Sequence, residues 1–147
     1  MGRIKITFNI TPKPQGRPRF RRVGNFVQTY DPPESKAYKK KIANVAKIYA
    51  PSTPISTPIS ADFIFYVPMP KSKSKAWKRR ALLGQELPAV KPDIDNYVKG
   101  VLDAMNKIVF SDDGKIVKLK AEKRYSDIPR TEVVITELVP EVQTKLF

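Results

Sequence analysis

From the first positions onward apolar and polar residues alternate, with Ile4, Ile6, Phe8 and Ile10 set between polar neighbours, and this predicts a half-buried strand over residues 3–10. The stretch KPQGRPRFRRVGNFVQTYDPP that follows predicts a basic hairpin turning near Val23, Gly24 and Asn25. Past Pro32 and Pro33 the apolar spacing lengthens. Ala37, Ile42, Val45, Ala46 and Tyr49 recur mainly at three- and four-residue steps, opposite Lys36, Lys39, Lys40 and Lys47, so a helix is expected over about 33–50.

The proline-rich segment PSTPISTPIS, with TPIS twice in succession, forms a stiff connector into the apolar run ADFIFYVP, whose length suits a buried strand in mid-sheet. Further on, DIDNYVKGVLDAMNKI places Ile94, Val98, Val101, Met105 and Ile108 at spacings of 4, 3, 4 and 3. That stripe is the clearest helical signal in the chain. Two more strands are predicted in KIVKLKAEKRY and RTEVVITELV, the second from Val133, Ile135 and Leu138. Together these elements describe a single α/β domain of the α+β kind over residues 1–147, a mixed sheet packed with two or three helices.

Composition narrows the chemistry. The chain has no His and no Cys, which removes Ser-His-Asp triads, Cys-His pairs, thiol redox centres and zinc sites of the His and Cys type. Carboxylates, Lys, Arg, Tyr, Ser and Thr remain, and the catalytic metals that suit them are hard, oxygen-seeking cations, above all magnesium.

Charge narrows the partner. Lys and Arg number 28 against 14 Asp and Glu, a formal charge of +14, which favours association with a polyanion. Nucleic acid is preferred over membrane because the sequence lacks the long amphipathic helix of an interfacial anchor and any apolar run near ~18 residues. With no segment of signal-peptide pattern, a cytoplasmic location is the expectation. Lys13, Arg17, Arg19, Arg21 and Arg22 in the hairpin region are candidate phosphate contacts. The segment KSKSKAWKRR, with Lys71, Lys73, Lys75, Lys78, Arg79 and Arg80, is either a solvated linker or a phosphate-gripping flap in which Trp77 stacks on a base.

Five of the eight aspartates, Asp93, Asp95, Asp103, Asp112 and Asp113, fall within 21 consecutive residues of this basic chain. Carboxylates brought close repel and raise one another's pKa unless a cation occupies the site. Pro92 keeps Lys91 extended, so Asp93 stands where a helix would begin; Asp95 and Lys99 are then i and i+4 on one face, away from the apolar stripe. The turn Ser111-Asp112-Asp113-Gly114 can fold back toward the start of that helix. Each residue also has an ordinary explanation: an N-cap for Asp93, an exposed ion pair for Asp95 and Lys99, turn chemistry for Asp112 and Asp113. Asp103 is expected to be a surface or pairing residue.

The run KPDIDNYVKGVLDAMNKIVFSDDGKIVKLKAEKRY resembles the RusA-type Holliday junction resolvases, endodeoxyribonucleases often carried by phages and prophages. The likeness lies in P-D-x-D-N-x-x-K, in the L-D-A-x-N continuation, and in the D-D turn before a strand ending K-R-Y. The segments P-K-P-Q-G-R-P-R and Y-D-P-P are also similar to the family, whereas KSKSKAWKRR is only loosely so. The resemblance implies a homodimer of a small α/β fold that binds four-way junction DNA and nicks two opposed strands with Mg2+ during recombination and repair. It places the metal-binding aspartates at Asp93, Asp95 and one of the D-D pair, assigned here to Asp113 with Asp112 as alternative or support. The catalytic lysine falls at Lys99, and Asn96 is suited to hold a carboxylate or a metal-bound water. Two other readings stay open at this point: a non-catalytic nucleic-acid binder, and a metal-dependent nuclease for other branched or duplex DNA.

Overall fold

The computed structural model describes residues 2–139; residue 1 and residues 140–147 of the expected 1–147 domain lie outside the described residues. Strand β1 (Arg3–Phe8) is followed by the hairpin β2 (Arg19–Val23) and β3 (Phe26–Tyr30), helix α1 (Pro33–Tyr49) and strand β4 (Ile59–Pro68). Helices α2 (Lys75–Leu82) and α3 (Ile94–Met105), strand β5 (Ile116–Ser126) and strand β6 (Arg130–Glu137) complete the order. Four strands form one sheet in the order β1-β6-β4-β5, and β2 pairs with β3 apart from it. The α+β class with a mixed sheet and three helices agrees with the expectation.

β4 runs parallel to β5 and antiparallel to β6. A parallel pair needs a crossover, and here the crossover carries α2 and α3, which brings the aspartate-bearing helix back along β5. The run ADFIFYVP is central, as its length implied, but only one side of it is buried. Ala61, Phe63, Phe65 and Val67 enter the core, while Asp62 is exposed and Ile64 and Tyr66 are half-buried. β4 therefore alternates, one face fully buried and the other half-buried or exposed, rather than being enclosed on both sides.

Three expectations shift. α1 buries Ser35, Tyr38, Ile42 and Ala46, whereas Ala37 and Tyr49 are exposed. The buried positions step by 3, 4 and 4 and form the side of the helix that meets β1 and α3, with Val45 partly buried beside them. The 71–80 block is more than a solvated linker: Ser74 accepts a hydrogen bond from the Trp77 N–H at 3.1 Å and starts α2, so most of the block's basic residues are carried on a helix. α3 ends at Met105, so Ile108 belongs to the following turn. No described helix is long and apolar enough to cross a membrane.

Candidate active site

Helix α3 is fixed by what it buries. Tyr97, Val98, Val101 and Met105 pack inward, and the Tyr97 ring lies 5.2 Å from that of Phe65 on β4. Large apolar side chains contribute roughly 1.5–3 kcal/mol each on full burial, enough to set the helix's rotation. Asp95, Lys99 and Asp103 consequently stand exposed on the outer side at four-residue steps. Asp93 occupies the N-cap position without capping; its Oδ1 accepts from Lys91 Nζ at 2.9 Å, across a cis Lys91–Pro92 bond.

Between α3 and β5 runs a groove of about 300 Å3, lined by Asp95, Lys99, Asp103 and Asp113 together with Val98, Leu102 and Leu119. A wider hollow of about 760 Å3 adjoins it, lined by Lys91, Asp93, Asp95 and Lys123. Asp95 therefore belongs to both, with Asp113 in one and Asp93 in the other. The two residues of the D-D turn have separate tasks. Asp112 Oδ2 accepts from the Gly114 N–H at 2.9 Å and caps a 3-10 turn over Asp113–Lys115, which leaves Asp113 to the groove.

Asp95 and Lys99 line the groove together but form no ion pair with each other among the described residues. Asp103 is a pairing residue, bound to Lys39 Nζ at 3.3 Å, and the same ammonium holds Asp31 at 3.0 Å. Asn96 is half-buried, and its main-chain carbonyl accepts the Gln15 N–H at 3.0 Å, which ties the basic loop to the start of α3. Lys123 on β5 donates to Val90 O at 2.8 Å and Pro92 O at 3.0 Å, so it braces the loop that delivers Asp93. Gln15 and Lys123 lie in the P-K-P-Q-G-R-P-R and K-R-Y segments and Lys39 on the basic face of α1, but their partners could not be read from the sequence, because contacts made across the fold leave no periodic trace.

Among the described residues no three carboxylates are gathered closely enough to hold a metal ion by themselves. Magnesium is commonly held by one or two carboxylates, with waters and substrate phosphate completing its octahedron. The pairs Asp95 with Asp113 and Asp93 with Asp95, all hard oxygen donors, fit that chemistry.

Of the candidate DNA contacts, Lys13, Arg17 and Arg19 line a hollow of about 440 Å3 at the start of α1, beside Glu34 and Ser35. The loop that carries them must pass close to α1. The Gly16 N–H donates to Ser35 Oγ at 3.1 Å, and a Cβ on Gly16 would lie 2.5 Å from that oxygen. Arg21 and Arg22 stand exposed on β2, the first held by Gln28 at 2.9 Å. Lys71 and Lys73 precede α2, which carries Lys75, Lys78, Arg79 and Arg80. Trp77 is half-buried with its ring 5.2 Å from that of Tyr125 in a T-shaped contact, and Lys73 Nζ sits over the Trp77 ring, 5.2 Å from its centroid.

A protein of Bacillus subtilis strain 168, described as uncharacterized protein YqaN, is 46% identical over 137 residues, covering 92% of this chain and 96% of that one. The profile of the family described as endodeoxyribonuclease RusA matches residues 9–136, from the end of β1 to the end of β6, and this chain belongs to that family.

Proposed function

We propose that this protein resolves four-way DNA junctions by paired, symmetric, magnesium-dependent nicks, acting as a homodimer in recombination and repair. The observation that carries the proposal is the groove between α3 and β5, where Asp95 and Asp113, from different elements, meet Lys99. Hydrolysis of a phosphodiester needs an activated water, a polarised phosphoryl oxygen and stabilisation of the leaving 3′ oxygen. Magnesium, when bound, lowers the pKa of water and polarises the phosphoryl group. Asp95 with Asp113, and Asp93 beside Asp95, are the residues to hold it.

Lys99 supplies a cation on the same face as Asp95, placed to neutralise charge that develops on the scissile phosphate. A fixed ammonium beside an apolar floor formed by Val98, Leu102 and Leu119 acts through a lower effective dielectric than one in bulk water. The arginines of the hairpin and the basic residues of α2 grip backbone phosphates, which fixes position without reading sequence. Two opposed strands call for two equivalent sites, and a twofold pair of identical chains provides them.

The test compares an immobile four-way junction with a linear duplex of matched sequence, each in magnesium and in EDTA. Symmetric nicking of the junction in magnesium, with the duplex left whole, is the expected result. Equal cutting of both substrates would reduce the assignment to an unselective nuclease, and tight binding without cutting would replace it with a binding protein.

A further inference from the structure

Next to the hollow that holds Asp93 and Asp95 lies a smaller cavity of about 220 Å3, walled by Pro68, Pro70, Pro88, Tyr97 and Tyr125. Val90, Lys91 and Lys123 line both spaces, so the two share a wall. The cavity is smaller than the ~300–1,000 Å3 of sites that enclose a whole small-molecule ligand, and it suits a single planar ring system. Its aromatic walls are fixed in advance. Tyr97 is packed against Phe65 with ring centroids 5.2 Å apart, and Tyr125 makes a T-shaped contact with Trp77 at the same 5.2 Å. Little ordering is left to be done when a ligand enters.

We propose that this cavity receives the nucleobase attached to a phosphate seated at Asp93 and Asp95, and that it makes cleavage depend on the nucleotide beside the cut. The inference rests on the nuclease reading above and adds a specificity site to it. A base is joined to its phosphate through one sugar, so a phosphate held at the carboxylates brings its base to the adjoining space. Aromatic and apolar walls receive the flat faces of a base, as in proteins that hold extruded or single-stranded nucleotides. Polar recognition at the base edge falls to Lys123. Its ammonium gives two N–H donors to Val90 O and Pro92 O and keeps a third for an acceptor on the ring. The branch point of a junction supplies the unstacked base at reduced cost, since unpairing is cheapest where stacking is already broken.

The test pairs a change in the DNA with a change in the protein. Four-way junctions are prepared with a single abasic residue at each position flanking the cut in turn, and single-turnover cleavage is measured. Wild type is expected to cut about tenfold more slowly at one position, in line with the stacking contribution of one base. Val90 is 64% exposed and lines both spaces, so Val90→Trp obstructs the cavity without removing buried packing. This variant is expected to cut the intact junction about tenfold more slowly and the sensitive abasic junction no more slowly than wild type does, because both changes remove one interaction. Full-rate cleavage of every abasic junction by wild type overturns the cavity and leaves the nuclease reading intact, as do losses that simply multiply. Failure to cut even the intact junction overturns both.

Discussion

Lys123 Nζ lies 3.0 Å from the carbonyl oxygen of Pro92, a bond between β5 and the residue just before the Asp93 N-cap. With its second bond to Val90 O, at 2.8 Å, it makes the loop ahead of α3 part of the sheet edge. Lys123→Met is expected to slow single-turnover cleavage about tenfold, since small displacements of reacting groups have large effects on rate. Junction affinity is expected to fall much less, and Lys123→Arg to recover part of the rate. Equal losses in binding and rate would show that Lys123 is only a phosphate contact.

Lys39 joins Asp31, just past β3, to Asp103 on α3, and its side chain is only 19% exposed. Lys39→Met leaves two neighbouring carboxylates without their cation. A loss of about 1 kcal/mol is expected, which is roughly 3 °C in Tm for a chain of this size. Asp103→Asn in the Lys39→Met background is expected to return part of it by removing one of the two charges. Differential scanning calorimetry of the single and double variants checks the coupling.

The β2–β3 hairpin is exposed along nearly its whole length and contributes little to the core. Replacing Arg19, Arg21 and Arg22 together by Ala is expected to leave stability within about 0.5 kcal/mol. The slope of log K against log salt for junction binding is expected to fall by about 2–3, the share of three lost phosphate contacts. Fluorescence anisotropy across a salt series measures it; an unchanged slope would remove these arginines from the DNA interface.

Burial pushes the phenols of Tyr38 and Tyr97 above the ordinary tyrosine range. The folded state thus favours the neutral phenol more strongly than the unfolded chain does. The stability linked to this is fully present below the unfolded value of about 10 and is lost as pH rises through the higher folded values. Tm is expected to drop above about pH 10, and to drop less steeply when Tyr38 and Tyr97 are both Phe.

Much of the architecture was written in local periodicity. The 4, 3, 4, 3 spacing of Ile94, Val98, Val101, Met105 and Ile108 marked α3 and showed that Asp95 and Lys99 would share the outer face. Gly24, at φ 60° in the hairpin turn, was legible because a positive φ favours glycine. α2 was obscured because its dense charge hides a short helix that buries only Ala81 fully, although Ser74 ahead of Lys75-Ala76-Trp77 is an N-cap signal. The parallel pairing of β4 with β5, and the meeting of Asp95 with Asp113, depend on how distant segments are brought together. The same holds for Lys123 reaching Pro92, 31 residues away in the chain. No local pattern encodes such contacts.

The central claim is that the Asp95–Lys99–Asp113 groove cuts DNA. It is tested most directly by single-turnover cleavage of a four-way junction in magnesium, with junction affinity measured in parallel. Wild type is compared with Asp95→Asn and with Asp62→Asn, the latter making the same charge change at an exposed position on β4. Asp95→Asn is expected to lose at least about 100-fold in rate while binding as well as wild type or better, and Asp62→Asn to cut normally. Cleavage by Asp95→Asn at the wild-type rate would contradict the account.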